Sequence, residues 1–254
     1  MIEFLKDIVV QTGQGLLRWR GCTGGEWLGT QLKTKADREA HQALSSALTR
    51  LLNIPVVSEE DDASHLEQRP DRYWLIDPID GTASLAGGFS GFVTQAALMV
   101  AGEPVLAAVY APALERLYSA EKCAGAFCNG GRIHVSAAEK RLILVDNYPQ
   151  PKGTAVRVMK ALGCTGYLES GSISLKICRV ADGSADLFFK DVVVRDWDIG
   201  APLLILQEAG GTITKTDGLP YNFNGDIEKS GIIAARNSEI CLKVADALLK
   251  IPLS

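Results

Sequence analysis

The chain has little of several features that would assign it to a familiar class. Its longest apolar runs fall well short of the roughly 18 residues that a membrane helix needs. Its net charge of −4 gives no reason to expect a nucleic-acid polymer as partner. Charges at Glu3, Lys6 and Asp7 interrupt the apolar stretch that a secretory signal peptide requires. We therefore expect a cytoplasmic protein with no membrane partner.

Cysteine and histidine are too scattered to indicate a metal site. None of the six cysteines belongs to a Cys-x-x-Cys pair, so reduced thiols are the simplest expectation. His41, His65 and His134 lie apart in the sequence and lack metal-ligand spacing. We predict surface or structural roles for these three histidines.

The most informative segment joins an apolar run to two carboxylates. Residues 73–76 (Tyr-Trp-Leu-Ile) predict a buried strand, and Asp77 and Asp80 follow at its end, where α/β proteins keep their chemistry. Pro78 fixes the backbone between them, and Gly81 allows close approach to a ligand. Crowded carboxylates repel, so such a pair needs a cation, a proton or an arginine nearby. The alternative is an exposed Asp-Pro, Asp-Gly turn.

Further carboxylates stand next to other predicted elements. Residues 58–62 (Ser-Glu-Glu-Asp-Asp) follow the short apolar run 54–57, although a solvated charge run is the plainer alternative. Asp198 precedes the apolar run 199–206, which predicts a buried helix that Asp198 caps, with a proline tolerated in the first turn. Asp37 begins an amphipathic helical pattern, where a carboxylate is equally common. Their occurrence together favours a functional site.

The remaining pattern predicts an α/β fold class with an α+β N-terminal half. Between residues 92 and 135, short apolar runs and turn residues predict an antiparallel meander. The predicted strands are 93–100, 105–110, 117–119 and 126–128, with turns at 102–104 and 129–131. From Arg141 onward strands and helices alternate, ending in a strand at 231–235 and a helix from Ser238.

Three motifs resemble, in order and spacing, the superfamily of inositol monophosphatases and 3'(2'),5'-bisphosphate nucleotidases, which are magnesium-dependent, lithium-sensitive phosphomonoesterases. The motifs are residues 58–61 (Ser-Glu-Glu-Asp), residues 77–82 (Asp-Pro-Ile-Asp-Gly-Thr), and Trp197-Asp198 with the downstream residues 208–211 (Glu-Ala-Gly-Gly). The similarity runs through nearly the whole chain. It implies a layered α-β-α-β-α sandwich in which two halves, residues 1–138 and 139–254, share one site.

The resemblance also implies the metal ligands, residue by residue. Glu59, Asp77 and the backbone carbonyl of Ile79 would hold one Mg²⁺. Asp77, Asp80 and Asp198 would hold a second, with two or three ions present during turnover. Such hard oxygen ligands suit Mg²⁺.

The superfamily's catalytic pair matches Asp37 and Thr82, which would position the attacking water, with Glu59 completing the catalytic set. Glu60 would lie outside the direct ligands. Gly81 and Thr82 would offer backbone N–H groups to the phosphate at the start of a helix.

Substrate binding rests on a longer set of implied contacts. These are Asp80, Gly81, Thr82, Gly171, Ser172, Lys176, Lys190 and Asp198. Inositol monophosphatases place a Glu several residues before the Trp-Asp motif, whereas the closest match here is Lys190. A cation there suits a second phosphate better than a polyol. Asp191 is a competing placement, and Lys176 could instead extend to solvent along its helix.

The leading prediction is a Mg²⁺-dependent 3'(2'),5'-bisphosphate nucleotidase that converts adenosine 3',5'-bisphosphate to AMP and phosphate. The alternatives are an inositol monophosphatase and a broad sugar phosphatase that accepts fructose 1,6-bisphosphate. A non-catalytic metal- or ligand-binding relative would have lost one of the site residues, and none is lost. The resemblance also permits a homodimer.

Overall fold

The computed structural model describes residues 1–22, 25–28, 31–66, 68–138 and 141–250. Within these ranges the helices are α1 (Ile2–Leu16), α2 (Lys35–Leu51), α3 (Thr82–Ala86), α4 (Thr154–Leu162), α5 (Ile173–Ala181), α6 (Asp196–Glu208) and α7 (Ser238–Leu249).

The strands of the N-terminal half are β1 (Gly25–Leu28), β2 (Gln31–Thr34), β3 (Val56–Ser58), β4 (Arg72–Asp80), β5 (Val93–Val100), β6 (Glu103–Ala111), β7 (Arg116–Glu121), β8 (Gly125–Cys128) and β9 (Gly131–Ile133). Those that follow are β10 (Ile143–Asp146), β11 (Gly166–Glu169), β12 (Leu187–Lys190), β13 (Val194–Arg195), β14 (Thr212–Lys215), β15 (Glu228–Lys229) and β16 (Ile232–Ala235).

The first large sheet has seven strands in the order β3-β4-β5-β6-β7-β8-β9. Its pairs are antiparallel except for β3 and β4, which run parallel. This arrangement confirms the predicted meander. The turn predicted at 102–104 lies earlier in the chain than expected: Ala101 and Gly102 form it, with positive φ angles of 51° and 76°. Two left-handed residues match the twist of the flanking strands, so Glu103 and Pro104 already belong to β6.

The second sheet has five strands in the order β11-β10-β12-β16-β14. Strand β10 runs parallel to both of its neighbours, and the other pairs are antiparallel. Helices α1 and α2 pack on the outer face of the first sheet, while α4 and α7 pack against the second. Helices α5 and α6 lie between the two sheets. This order of layers confirms the α-β-α-β-α sandwich.

Helix α6 is apolar around its whole circumference because both of its sides are covered. Residues 199–206 are all buried, as a helix between two sheets requires. The helix begins at Asp196, so Pro202 lies in its second turn rather than the first turn that was predicted. Gly200 allows close packing on the first sheet, since a Cβ there would lie 2.6 Å from a side-chain carbon of Leu75.

The backbones of the two halves approach closely at a pair of glycines. The N–H of Ser172 donates to the carbonyl oxygen of Gly91 at 2.7 Å. A Cβ on Gly171 would lie 2.2 Å from that same oxygen, which no real structure tolerates without movement. The division of the chain at residues 138 and 139 stays a prediction, and residue 139 lies outside the described ranges.

We expect Gly171→Ala to destabilise the protein by about 1–3 kcal/mol, because the new methyl group overpacks a backbone contact. For a chain of this size that loss lowers Tm by roughly 2–12 °C in thermal unfolding. Gly15→Ala is the matched control: nothing lies within 4 Å of the added carbon, and alanine favours the helix. Equal Tm values for the two variants would contradict the tight contact.

Candidate metal centre and active site

Three buried or half-buried carboxylates converge where the end of β4 meets the first turn of helix α6. Oxygens of Asp77, Asp80 and Asp198 all lie within 4.8 Å of one another. Asp77 is 1% exposed and Asp80 is 8% exposed, which excludes the alternative of an exposed turn. The structure therefore brings together acids that are more than 110 residues apart in the sequence.

A bulge in strand β4 directs both of its aspartates to the same side. Asp77 pairs with Gln95 on β5, and Asp80 pairs with Val93. Two residues of β4 therefore oppose the single residue Thr94 between these pairs. In a regular strand, residues three apart point to opposite faces. The bulge is what allows Asp77 and Asp80 to act on one ligand.

One carboxylate oxygen of Asp77 is buried without a hydrogen-bond partner among the described residues. This oxygen is Oδ2, whereas Oδ1 accepts a hydrogen bond from the Ile79 N–H at 3.0 Å. Burial raises the pKa of Asp77 well above its usual value, and the charges of Glu59, Asp80 and Asp198 raise it further. A buried, unpartnered carboxylate oxygen among other acids is the environment that a bound cation stabilises. The donor set therefore fits Mg²⁺.

Asp198 is the third residue of α6 and caps the helix from that position. Its Oδ2 accepts from the Arg195 N–H at 2.8 Å. The predicted N-cap is therefore wrong by three residues, because the helix already begins at Asp196. Burial raises the pKa of Asp198 well above its usual value, and the charges of Asp80 and Glu59 contribute. Capping uses one carboxylate oxygen, so it is compatible with metal binding.

Glu59 lies beside these acids because β3 runs parallel to β4. Ser58, the last residue of β3, pairs with Ile76, which directly precedes Asp77. The charge of Glu59 raises the pKa of both Asp77 and Asp198, as expected of a neighbouring carboxylate. The run of acids at 58–62 thus begins at a strand end, as predicted.

Two histidines hold the segment that precedes Glu59. The Nε2–H of His65 donates to the Ser58 carbonyl oxygen at 2.7 Å, and the Nδ1 of His41 lies 2.8 Å from the Ser58 hydroxyl. The His65 ring also contacts the Trp197 ring, with centroids 4.7 Å apart. The prediction of structural roles is confirmed for these two, but their place at the site gave no signal in the sequence.

Asp37 and Thr82 form the predicted pair. The Thr82 hydroxyl donates to Asp37 Oδ1 at 2.9 Å and lies 3.2 Å from the Ile79 carbonyl oxygen. The other oxygen of Asp37 accepts from the backbone N–H and the hydroxyl of Thr34, at 2.6 and 2.7 Å. Asp37 is thus a helix-start carboxylate and a partner of Thr82 at once. Its orientation is fixed by three hydrogen bonds.

Lys176 is buried, so the alternative in which it extends to solvent is wrong. It is 1% exposed, and its ammonium lies 5.1 Å from the centroid of the Phe188 ring. It donates to the Asn147 side-chain oxygen and, at 2.5 Å, to the Gly171 carbonyl oxygen. Burial lowers the pKa of Lys176 to about 7, which Asp80 opposes and Lys190 reinforces. Lys176 therefore holds the loop that precedes α5 in place.

Ser172 also has a structural role at the start of that helix. Its hydroxyl oxygen accepts from the Leu175 N–H at 3.2 Å, which makes Ser172 the N-cap of α5. Contacts of Gly171, Ser172 and Lys176 with a substrate stay predictions. Lys190 ends β12 and is half-buried, whereas the competing Asp191 is exposed.

Comparison with known proteins agrees with this arrangement. Residues 23–251 match the model of the inositol monophosphatase family. Fructose-1,6-bisphosphatase/inositol-1-monophosphatase of Thermotoga maritima is 34% identical over 193 residues, covering 74% of this chain and 73% of that protein. Human inositol monophosphatase 2 is 31% identical over 185 residues, covering 69% of this chain and 62% of the human protein. A solved inositol monophosphatase structure from Thermotoga maritima superposes with a TM-score of 0.83 at 26% identity, covering 98% of each chain.

The chain belongs to the inositol monophosphatase family, as a match over most of its length shows. Members of this family are Mg²⁺-dependent phosphatases, so the protein is a metal-dependent phosphoric monoester hydrolase. The resemblance seen in the motifs is confirmed at the level of the superfamily. The preference for its nucleotidase branch stays a prediction. In the described ranges, no helix has the length and apolar character to cross a membrane.

The raised pKa values of Asp77 and Asp198 predict that Mg²⁺ stabilises the protein more at high pH. In the unfolded chain these carboxyls titrate near 3.8, so the folded protein binds more protons above that pH. The free energy of unfolding of the metal-free protein therefore falls as pH rises from about 4 through the raised pKa values.

We accordingly expect the increase in Tm caused by Mg²⁺ to be larger near pH 8 than near pH 5.5, as measured by differential scanning calorimetry. Asp77→Asn removes one of the buried charges and should reduce this difference. The exposed Asp217 provides a control, since Asp217→Asn should leave it unchanged. An increase in Tm that is independent of pH in the wild type would contradict the account.

Proposed function

We propose that the protein hydrolyses a phosphate monoester at the carboxylate cluster. The observation that carries this proposal is the buried, unpartnered Oδ2 of Asp77, which lies among Asp80, Asp198 and Glu59. These side chains, with the carbonyl oxygen of Ile79, would hold two or three Mg²⁺ ions. Bound Mg²⁺ supplies the positive charge that polarises the phosphate oxygens and the entering water.

Thr82 and Asp37 aim the attacking water. The Thr82 hydroxyl directs its proton to Asp37, so the hydroxyl oxygen is available to accept a hydrogen bond from the water. Because Thr34 holds the other oxygen of Asp37, the pair has one fixed orientation. A threonine is too weakly acidic to be the base alone, so its contribution is orientation and proton relay.

Gly81 shapes the turn that receives the phosphate. Its φ of 93° lies in the left-handed region and joins the end of β4 to the start of α3. The first N–H groups of a helix have no acceptor within the helix, so those of Gly81 and Thr82 suit an anionic oxygen. In this proposal they bind the phosphate beside the carboxylates.

Replacing Thr82 tests the proposed aim of the water. Thr82→Val keeps the shape but removes the hydroxyl, and we expect kcat to fall about 10²–10⁴-fold. Thr82→Ser keeps the hydroxyl and should retain most activity. Mg²⁺ binding, measured by calorimetry, should be similar in both variants. Full activity of Thr82→Val would exclude the relay.

For the substrate we propose a compound with a second phosphate, with adenosine 3',5'-bisphosphate as the first candidate. The support is Lys190, whose charge is close enough to lower the pKa of buried Lys176 while Asp80 raises it. A cation near Lys176 attracts a second anionic group more strongly than it attracts a polyol. Fructose 1,6-bisphosphate meets the same requirement. Inositol monophosphate is the second candidate, because two of the relatives are named as inositol monophosphatases.

Charge reversal at Lys190 distinguishes these substrates. We expect Lys190→Glu to raise KM for adenosine 3',5'-bisphosphate about 10–100-fold, as the loss of a charged hydrogen bond implies. KM for inositol 1-phosphate should change far less. Asp191→Asn alters the exposed neighbour and should affect neither substrate. Equal losses for both substrates in Lys190→Glu would refute the assignment of Lys190 to a second phosphate.

Other properties belong to the same proposal. The six cysteines are all free, which supports a reducing compartment such as the cytoplasm. Inhibition by Li⁺ and assembly as a homodimer stay predictions from the resemblance.

A further inference from the structure

Gln95 is a buried polar residue at the centre of the first sheet. It is 0% exposed and lies on β5 directly opposite Asp77. Opposite residues of an antiparallel pair share one face of the sheet. The other residues on this face of β5 are apolar, namely Val93, Ala97 and Met99, and they belong to the core around α6. Gln95 therefore interrupts an otherwise apolar surface beside a predicted metal ligand.

The amide of Gln95 connects the first sheet to both central helices. Its Nε2 donates to the Ser174 hydroxyl at 2.6 Å and to the Trp197 carbonyl oxygen at 2.9 Å. A carbonyl oxygen only accepts, so the Trp197 contact fixes which end of the amide faces the helices. Gln95 thus joins the seven-stranded sheet to α5 and α6 through one NH₂ group.

Ser174 extends these contacts to two of the carboxylate residues. Its hydroxyl donates to the backbone carbonyl oxygen of Asp198 at 2.9 Å. Its N–H donates to Asp80 Oδ2 at 2.7 Å, so Asp80 caps the N-terminus of α5 from the other half of the chain. Gln95 and Ser174 together therefore contact the backbone around Asp198 and the carboxylate of Asp80.

We propose that Gln95 and Ser174 are positioning residues that set the separation of Asp80 and Asp198 for metal binding. Repulsion between buried carboxylates favours their separation. The chain of hydrogen bonds opposes it, because Ser174 links the Asp80 side chain to the Asp198 backbone. This inference rests on the proposed function, since it assumes that the cluster binds Mg²⁺.

Gln95 is a poor choice for stability alone. Its Oε1 is buried and has no partner among the described residues. An unsatisfied buried acceptor costs free energy, which an apolar side chain on the same face would avoid. The two hydrogen bonds that the NH₂ group of Gln95 donates to Ser174 and Trp197 account for the presence of an amide at this position.

Mg²⁺ titration of the substrate-free protein by isothermal calorimetry tests the proposal. Partners of ligating groups typically alter metal affinity 10–100-fold, so we expect Gln95→Met and Ser174→Ala each to weaken Mg²⁺ binding about 10-fold or more. The double variant should lose less binding free energy for Mg²⁺ than the two single variants lose together, because both changes break the same hydrogen-bond network. Ser174→Thr keeps the hydroxyl and should restore most of the affinity.

Thr94→Val is the matched control. Thr94 is the next residue of β5, is equally buried and has an unpartnered hydroxyl, but it faces the opposite side of the sheet. The Mg²⁺ affinity of the Thr94→Val protein should equal that of the wild type. The Tm of each variant without metal shows whether it folds, and Ser174→Ala replaces Gln95→Met if the latter does not.

Folded Gln95→Met and Ser174→Ala proteins with wild-type Mg²⁺ affinity would overturn the proposal, whatever their Tm. The proposed function fails separately: a wild-type protein that binds Mg²⁺ but releases no phosphate from the tested esters would refute the catalytic assignment and leave the positioning roles intact. Activity supplies a second readout. The variants should need more Mg²⁺ for half-maximal kcat, while KM for the ester at saturating Mg²⁺ changes little.

Discussion

Repulsion between buried carboxylates is the constraint on which the rest of this structure depends. Asp77 and Asp80 come from β4 and Asp198 comes from α6, yet their oxygens lie within 4.8 Å of one another. Burial and mutual repulsion raise the pKa of both Asp77 and Asp198. Such a cluster is unfavourable in the absence of a cation, so the fold must hold it together by other interactions. In the proposed function, a bound Mg²⁺ would relieve this repulsion.

The surrounding architecture supplies those interactions in layers. The bulge in β4 points two aspartates to one side, and the start of α6 fixes Asp198 through its cap on Arg195. The close backbone contact between Gly91 and Gly171 brings α5 against the first sheet, where Ser174 reaches Asp80. Just beyond the end of β4, Asp37 orients Thr82. The layered sandwich therefore brings the acids together and also supplies the hydrogen bonds that hold them in place.

Local patterns predicted the elements well and their long-range contacts poorly. The strand at 93–100 was predicted with its observed bounds, because a continuous apolar run between turn residues is a strong local signal. Asp77 and Asp80 were predicted as a pair at a strand end, whereas their convergence with Asp198 was predicted only from the resemblance of the motifs, because it depends on contacts between distant parts of the chain. Lys176 was open to a solvent-facing alternative because its hydrogen-bond partners, Asn147 and Gly171, lie outside its helix. No sequence signal identified Gln95, because a single polar residue in an apolar strand forms no periodic pattern that would indicate its partners.

The most direct test of the central claim is phosphate release by the wild-type protein, measured with Mg²⁺ and again after the metal has been removed by a chelator. Adenosine 3',5'-bisphosphate and inositol 1-phosphate should be assayed side by side. If the carboxylate cluster is a catalytic Mg²⁺ site, at least one ester is hydrolysed with Mg²⁺, and the activity disappears on chelation and returns when Mg²⁺ is added back. Turnover that persists unchanged after effective metal removal would contradict the account.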